Sequence, residues 1–193
     1  MITTPAQGNR IEPDYPTLAF DNGCFGNGYP GDTEYLTWLD RNKAHAPRAL
    51  FATAPDVFTG AEDGSDAEAT IDRSLPFFPR IRDLGYPAAL VFQVGCEDFP
   101  EHLPWNDFDV AFIGGTTAWK CGPEGRDMIR EAQDRGKKVH VGRVNSEARY
   151  RRFAQLGVDS VDGTYITYGP DQLLPDVLAW VRGYRDQLPL FAA

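Results

Sequence analysis

Six short apolar runs of the sequence each end in residues that can do chemistry. The runs are Thr17–Phe20, Ala49–Thr53, Ala88–Gln93, Val110–Ile113, Lys138–Val144 and Asp159–Asp162. The polar residues and glycines at or just after their ends are Asp21, Asp56, Gln93, Gly114, Gly115, Thr116, Arg143, Asn145 and Asp162. If the runs are parallel strands of an α/β fold, these positions lie at one edge of the sheet, where such folds build their sites. We therefore expect them to converge on one pocket.

Three carboxylates beside an amide and exposed backbone suit the chemistry of glycosidic bonds. One carboxylate can attack a sugar carbon while a second moves a proton, as paired carboxylates do in glycoside cleavage. The third carboxylate, Gln93 and glycine N–H groups can read the edge of a planar heterocycle, because Asp accepts hydrogen bonds and an amide both donates and accepts. A metal site is the rival use of the carboxylates. No histidine neighbours them in the sequence, so we predict neither a metal nor a cofactor.

Each of these residues also has a purely structural explanation. Asp21, Asn22 and Gly23 are common turn formers, and Asp56 could cap a turn or helix. The glycine pair could serve tight packing, and Asp162 could pair with Arg143. Six consecutive strand ends with only structural roles is the less favoured interpretation.

The elements that must position these residues alternate along the chain. Amphipathic segments between the apolar runs predict helices near Thr33–Asn42, Ile71–Leu84, Gly125–Arg135, Glu147–Leu156 and Gln172–Gln187. Strand alternating with helix predicts a parallel sheet. Six strong strands are fewer than the eight of a closed barrel, so we expect a compact TIM-barrel-like (β/α) fold with fewer than eight regular units. An open doubly wound sheet is the alternative, although no G-x-G-x-x-G follows the first run.

The composition bounds the class of protein. With 193 residues, 42% of them apolar and 24% charged, the chain is not disordered and suits a single domain over residues 1–193. Its net charge of −9 argues against a protein coated with nucleic acid, but leaves room for a local basic patch. The acidic stretch Gly60–Thr70 indicates an exposed loop.

Compartment follows from two further observations. No apolar run reaches the roughly 18 residues of a membrane span, and the first ten residues lack the apolar centre of a signal peptide. Cys24, Cys96 and Cys121 form no C-x-x-C pair, which favours reduced thiols over a zinc site. We expect a cytoplasmic protein without a membrane partner.

In their order along the chain, these residues resemble the motifs of the tRNA-guanine transglycosylases. They are closest to the family's short bacteriophage-type DNA relatives, which exchange guanine for a 7-deazaguanine. The family's Asp-Ser-Gly-Gly-Phe, Pro-Asp and Val-Gln-Gly-Gly signatures are matched by Asp21–Phe25, Pro55-Asp56 and Phe92–Gly95. Its Gly-Gly-Leu element and its Gly-Val-Asp-x-Phe-Asp nucleophile segment are matched by Gly114–Thr116 and Gly157–Asp162. The matches span about three quarters of the chain.

The resemblance implies a pentosyltransferase and a role for each matched residue. Asp162 would attack C1′ of the nucleotide and expel guanine, forming a covalent glycosyl-enzyme. Asp21 would move the proton of the leaving and incoming bases. Base-binding residues would be Asp56, Gln93, Gly114, Gly115 and Thr116, with the Gly115 N–H on the base carbonyl.

Departures from the family's pattern restrict which nucleic acid and which base are expected as substrates. The tRNA enzymes carry a zinc site of three Cys and one His near the C-terminus; nothing after Cys121 supplies it, so that zinc is predicted absent. They are also much longer, which favours DNA over tRNA here. Lys120 lies near the carboxylate that holds an aminomethyl group in bacterial enzymes. A lysine there favours a neutral substituent, so 7-cyano-7-deazaguanine is the expected base.

A DNA substrate requires a flipped-out base and contacts to the backbone near the pocket. Candidate contacts lie at or just after the end of the fifth run: Arg143, Asn145, Arg149 and Arg152, with Arg151 in the same basic stretch. Candidate stacking aromatics are Trp119, Tyr165 and Tyr168. A solvated helix face and core packing are the alternative explanations of these two groups. The expected partners are DNA and a free 7-deazaguanine base, in the host cytoplasm if the protein is phage-encoded, with a homodimer or an accessory partner left open.

Two other functions remain compatible with the sequence. The first is base exchange or N-glycoside hydrolysis on free nucleosides, which the charge of −9 suits better than DNA. The second is a non-catalytic accessory protein that binds a deazaguanine.

Overall fold

A computed structural model of the chain describes residues 1–7, 11–26, 28–58 and 66–185. Within these residues the strands form one sheet in which every neighbouring pair is parallel. The strands are β1 (Ile2–Thr3), β2 (Leu18–Phe20), β3 (Ala49–Thr53), β4 (Ala88–Phe92), β5 (Val110–Ile113), β6 (Lys138–Val141) and β7 (Ser160–Val161). They lie side by side in chain order, with no point at which the order reverses. The TIM-barrel-like prediction is therefore confirmed, and the doubly wound alternative is wrong.

Helices follow most of the strands. The α-helices are α1 (Asp32–Arg41), α2 (Ala67–Ser74), α3 (Phe78–Asp83), α4 (Thr117–Cys121), α5 (Pro123–Asp134), α6 (Glu147–Gln155) and α7 (Pro170–Arg185). Short 3₁₀ turns lie at Cys24–Gly26, Lys43–Arg48, Leu75–Phe77, Cys96–Asp98, Pro100–His102 and Tyr165–Tyr168. The main core lies between the sheet and its helices, and Phe20, Phe78, Ile129 and Phe153 are among its buried side chains.

The sheet is strongly curled. The Phe51 ring on β3 lies 4.8 Å from the His140 ring on β6 and 5.7 Å from the Phe112 ring on β5, centroid to centroid. In a flat sheet β3 and β6 would be about 14 Å apart, at about 4.8 Å per strand. Their side chains meet because the sheet bends around them, so the concave face holds a second, smaller core and the strand ends point at a common centre.

Three sequence predictions need correction. Strand β1 was missed, because two residues are too short to show a period. The helix predicted over Ile71–Leu84 is divided between α2 and α3, where Pro76 and Pro79 cannot continue an α-helical hydrogen-bond ladder. Within Gly60–Thr70, residues 60–65 lie outside the described part, and the remainder is no loop, because Asp66 caps α2 and Thr70 is fully buried.

Aspartates close the amino end of the sheet. The Oδ2 atom of Asp109, just before β5, accepts the N–H of Ala88 at the start of β4 (2.8 Å) and the Nε–H of Arg82 (2.9 Å). Asp159, just before β7, accepts the N–H of Val139 in β6 in the same way (2.8 Å). Each carboxylate satisfies a backbone donor at the amino end of the neighbouring strand.

Replacing Asp109 with alanine should weaken the fold. We expect Asp109→Ala to lower the free energy of unfolding by about 1–2 kcal/mol, because one backbone donor and Arg82 lose an ionised acceptor. Urea denaturation measures this. The control Asp107→Ala, at an exposed neighbouring position, should change it by less than about 0.5 kcal/mol. Equal effects of the two substitutions would contradict the assignment.

Candidate active site

A cavity of about 820 Å³ opens at the carboxyl ends of the strands. Nine of the eleven site residues expected from the sequence line it: Asp21, Asp56, Gln93, Gly114, Gly115, Thr116, Arg143, Asn145 and Asp162. Ile2 of β1 and Thr164 beyond β7 line the same cavity, so the two edges of the sheet face each other across it. The prediction that the strand ends converge on one pocket is confirmed by these positions.

Asp162 follows β7 and is held by two donors. Its Oδ2 lies 2.9 Å from His140 Nε2, and its Oδ1 accepts the backbone N–H of Arg143 at 3.0 Å. The side chain is 22% exposed, and burial by itself would raise the pKa of the carboxyl. The hydrogen bond and charge of His140, the Arg143 N–H and the nearby Lys120 outweigh burial and lower the pKa below 3.8. Asp162 is therefore an ionised carboxylate facing the cavity.

His140 is a part of the site that the sequence did not reveal. It lies in β6 and is 3% exposed, with Nδ1 2.9 Å from Ser160 Oγ. Because ionised Asp162 can only accept, the Nε2 atom of His140 must carry the proton that faces it. The β6–β7 register pairs His140 with Ser160, which places its ring beside the carboxylate two residues further on. No spacing rule connects residues 140 and 162, so only the register could have indicated this contact.

Arg143 has the only positive φ (59°) of any non-glycine residue in the described ranges. A bulky side chain there costs about 1–3 kcal/mol and persists only where its surroundings hold it. Its Nη2 donates to the carbonyl oxygens of Gly114 (2.7 Å) and Gly115 (2.5 Å), and its guanidinium lies 4.5 Å from the centre of the Phe25 ring. These contacts join the loop after β6 to the loops after β5 and β2. The strained turn directs the Arg143 N–H at Asp162.

Asp21, after β2, has the opposite electrostatic character. Burial, helped by the charges of Asp56 and Asp162, raises the pKa of its carboxyl to about 6, although the N–H groups of Gly23 and Asn22 act against the rise. Gly23 permits this turn because its φ is +80° and a Cβ there would come within 3.1 Å of the Gly28 backbone. Near neutral pH Asp21 can therefore hold or release a proton.

Asp56 and Gln93 form one buried polar unit with Asn22. The Nδ2 of Asn22 donates to Asp56 Oδ1 (2.9 Å), and the Nε2 of Gln93 donates to Asp56 Oδ2 (3.0 Å). Gln93 Oε1 accepts from Thr70 Oγ1 at 3.2 Å, which fixes the orientation of the amide. Burial raises the pKa of Asp56 despite these donors. The Cys24 thiol and the backbone N–H of Asp56 itself donate to the same carboxylate, so a ligand that binds Asp56 must take the place of one of these donors.

The segment after β5 serves packing as well as lining. The N–H groups of Gly114 and Gly115 both donate to Phe92 O, at 2.9 and 3.1 Å. The expected contact from Gly115 N–H to a base carbonyl would need this bond to be shared or exchanged. A Cβ on Gly115 would lie 2.4 Å from Trp119 Cε3, so the indole occupies that space. Thr116 caps α4 through its Oγ1, which accepts the Trp119 N–H at 3.2 Å.

The expectation for Lys120 was wrong, and of the two interpretations of Trp119 the structure supports core packing. Lys120 was expected beside the substituent of the base, but it is fully buried and outside the cavity lining. Its Nζ donates to the carbonyl oxygen of Gly142. Trp119 was a candidate for stacking on bases, but it is buried in the core at 6% exposure. Helix α4 turns both side chains away from the cavity and presents Thr116 and Thr117 to it.

The remaining nucleic-acid candidates are dispersed. Arg149 lies behind the site, with Nη1 3.2 Å from Arg143 O, and Arg152 is exposed on α6 away from the lining. Tyr165 packs on Trp180, with the ring centres 4.9 Å apart, whereas Tyr168 is 85% exposed.

Arg151 is paired with Glu147 at 2.7 Å, so the basic run is partly neutralised along its own helix. Asn145 accepts the N–H of Thr164 (2.7 Å) and holds the loop after β7. Phe25, 52% exposed, packs against Phe58 at the cavity mouth, and this aromatic pair was not singled out from the sequence.

Residues 1–7, 11–26, 28–58 and 66–185 contain neither a membrane-spanning helix nor a metal-binding cluster. No helix in these ranges is both long enough and apolar enough to cross a bilayer. They bring together no group of three or more His, Cys, Asp or Glu side chains that could hold a metal ion. Cys24, Cys96 and Cys121 are free thiols, and burial raises the pKa of the first two to about 12. Neither of those two is activated as a nucleophile.

The two carboxyls should have opposite effects on stability at neutral pH. The pKa of Asp21 is raised in the folded state, so between about pH 3.8 and 6 folding binds a proton and the free energy of unfolding falls as pH rises. We expect Asp21→Asn to raise that free energy by about 1–2 kcal/mol at pH 7, below the ~3 kcal/mol equivalent of the shift, because the carboxyl's turn contacts weaken. The gain should vanish below pH 3.8.

Asp162→Asn is the matched comparison. Its carboxyl has a lowered pKa, so its ionised form stabilises the fold above pH 3.8, and the substitution should lower the free energy of unfolding at pH 7. Urea denaturation between pH 3.5 and 8 measures both variants. Destabilisation by Asp21→Asn at pH 7 would contradict the electrostatic assignment.

No protein-family model matches the chain, and no curated protein matches it significantly. Among solved structures it is similar to a chain of the tryptophan synthase α2β2 complex from the hyperthermophile Pyrococcus furiosus, at 11% identity and a TM-score of 0.47 over 78% of this chain and 76% of that one. It is also similar to a mutant tryptophan synthase α-subunit from the same organism, at 14% identity and a TM-score of 0.48, over 78% of this chain and 57% of that chain. The chain thus spans less than two thirds of the second protein. Similarities this low carry no argument about function.

Proposed function

We propose that the protein is a DNA guanine transglycosylase, which exchanges guanine for a 7-deazaguanine, expected to be 7-cyano-7-deazaguanine. One observation carries the proposal: two carboxyls with pKa values shifted in opposite directions, Asp162 downward and Asp21 to about 6, line the same cavity. Two carboxyls whose pKa values differ in this way can act as an ionised nucleophile and a proton carrier. Base exchange at C1′ needs both.

In the first step Asp162 acts as the nucleophile. One carboxylate oxygen bonds to C1′ of the nucleotide while the C1′–N9 bond breaks and its electron pair moves to the guanine. The protonated Asp21 carboxyl gives its proton to the departing base, which leaves as neutral guanine. The products are a glycosyl ester on Asp162 and an ionised Asp21.

The second step reverses the first with a different base. The incoming deazaguanine gives its N9 proton to ionised Asp21, and N9 bonds to C1′. The electron pair of the ester bond returns to the Asp162 oxygen, which restores the carboxylate. Both carboxyls end in their starting protonation states, so the exchange consumes no cofactor.

The buried Asp56–Gln93 unit suits recognition of the guanine edge. The Asp56 carboxylate can accept from the ring N1–H and the 2-amino group when these replace donors that it binds in the free protein, and the Gln93 amide can donate to the 6-carbonyl. These groups are the same in guanine and in 7-deazaguanine, so one set of contacts serves both the outgoing and the incoming base. Thr116 and Thr117 line the cavity at the start of α4, without a carboxylate to hold a cationic substituent. A base bound with position 7 toward these two residues would meet no carboxylate there, which favours a neutral substituent such as a nitrile.

DNA would reach this site through a flipped nucleotide, because a base that is stacked in the duplex cannot enter a concave site. The cavity of about 820 Å³ is of ordinary size for a small-molecule site, which a nucleotide would fill. Arg143 is the cationic residue of its lining and Asn145 is one of the amides, and a sugar-phosphate backbone would pass beside these two residues.

Release of labelled guanine tests the proposal. Duplex DNA carrying labelled guanine is incubated with the protein and 7-cyano-7-deazaguanine, over a range of salt concentrations. We expect release by the wild type and a rate lower by on the order of 10³-fold or more in Asp162→Asn, which removes the nucleophile without changing its shape.

Asp159→Asn is the control. Asp159 precedes β7 as Asp162 follows it, but it lies at the other end of the sheet, where it binds Val139 N–H and Lys138. It should retain release. A fully active Asp162→Asn would show that Asp162 is not the nucleophile. Turnover of free nucleosides but not DNA would favour the nucleoside enzyme, and tight base binding in calorimetry without turnover would favour the accessory protein.

A further inference from the structure

Lys120 is a buried cation for which the proposed reaction gives no use. Its side chain is fully buried, and no packing need explains an ammonium group there, because an apolar side chain of similar length would fill the space without the cost of removing a charge from water. Burial and the neighbouring Arg143 lower its pKa to about 8. Such a residue calls for a specific partner.

The partner of Lys120 is one particular peptide group. The Nζ atom donates to the carbonyl oxygen of Gly142 at 2.5 Å. The N–H of the same peptide unit belongs to Arg143 and donates to Asp162 Oδ1 at 3.0 Å. A cation, one amide and the carboxylate therefore stand in a single hydrogen-bonded chain.

This peptide would not keep its orientation without help. It leads into Arg143, whose φ of 59° is unfavourable for a side-chain-bearing residue. The Arg143 guanidinium holds the far side of the turn on the carbonyls of Gly114 and Gly115. Lys120 holds the near side at Gly142 O. An amide whose carbonyl binds a cation is also polarised, which strengthens its N–H as a donor.

The fold delivers Lys120 to this position with little freedom. A Cβ on Gly125 would lie 2.5 Å from Lys120 Cα, so a glycine in α5 is what allows α5 to pack against this turn of α4. Helix α4 itself starts from the Thr116 cap, directly after the segment that lines the cavity. The ammonium thus approaches the peptide from beneath the cavity, where substrate does not compete for it.

We propose that Lys120 is a positioning residue for Asp162: its ammonium group holds and polarises the Gly142–Arg143 peptide, whose N–H in turn binds the carboxylate. The consequence for the reaction rests on the proposed function, but the arrangement does not. Other charged and titratable groups act on the Lys120 ammonium or the Asp162 carboxylate, which are the two ends of this hydrogen-bonded series. They are His140, Arg143, Asp21, Cys121 and Arg149.

Titration of Asp162 by carboxyl ¹³C NMR tests the proposal without any substrate. We expect Lys120→Met to raise the midpoint of Asp162 by on the order of one pH unit, because the carboxylate loses a nearby cation and a well-oriented donor. Lys137→Met is the matched control: Lys137 also donates to a carbonyl, Phe108 O at 2.8 Å, but before β6 at the amino end of the sheet. It should leave the midpoint unchanged. Equal midpoints in the wild type and Lys120→Met would overturn the proposal.

A second measurement covers a Lys120→Met protein that fails to fold. In Cys121→Ser, which removes the neighbouring thiol, the amide ¹⁵N shift of Arg143 should titrate with the same midpoint as the ¹⁵Nζ signal of Lys120. An Arg143 amide that does not respond to ionisation of Lys120 would overturn the proposal. Neither readout involves catalysis, so an active Asp162→Asn enzyme would defeat the proposed function and leave this test standing.

Discussion

The site depends on keeping the Asp162 carboxylate ionised where most of it is removed from water. Burial opposes ionisation, and His140, the Arg143 N–H and Lys120 together overcome it. Each of these groups has a cost of its own. His140 occupies space inside the curl of the sheet, Arg143 adopts a strained φ, and Lys120 loses its hydration. Unfavourable features that all converge on one carboxylate indicate a site shaped for reactivity more than for stability.

The charge on Asp162 also contributes to the raised pKa of the neighbouring Asp21, after burial and the charge of Asp56. Asp21 lies in the same cavity, and the charges of Asp56 and Asp162 add to burial in raising its pKa to about 6. Carboxyls that share a confined space do not all ionise together, so fixing the charge on Asp162 favours a proton on Asp21. The lowered pKa of Asp162 and the raised pKa of Asp21 are thus linked through one electrostatic arrangement, which suits the proposed roles of nucleophile and proton carrier.

The sequence predicted the strands and the lining residues of this site better than the contacts that hold Asp162. Strands β3 and β5 have the predicted bounds because continuous apolar runs mark buried parallel strands, and the strand-end rule placed Asp21, Asp56, Gln93 and Asp162 in one pocket. The contacts that adjust Asp162 were out of reach, since they join residues about twenty positions apart through strand register and helix packing. His140 looked like an ordinary strand residue.

Lys120 is a second case in which the sequence did not predict the contacts of a side chain. A lysine close in sequence to a lining segment was expected to face the ligand, but the five-residue helix α4 turns it beneath the cavity floor instead. The sequence correctly placed Lys120 close to the segment that lines the cavity. Which side of the cavity floor its side chain occupies depends on the path of α4. Residues 59–65, which follow the strand end at Asp56, lie outside the described ranges.

Trapping the proposed covalent bond between Asp162 and the sugar tests most directly whether Asp162 is the nucleophile. A guanine-containing DNA oligonucleotide is mixed with the protein in the absence of free base, quenched with acid, digested and analysed by mass spectrometry. We expect a peptide that contains Asp162 and carries the oligonucleotide minus guanine, with one guanine released for each adduct. Guanine released without any adduct, or an adduct on a different residue, would contradict it.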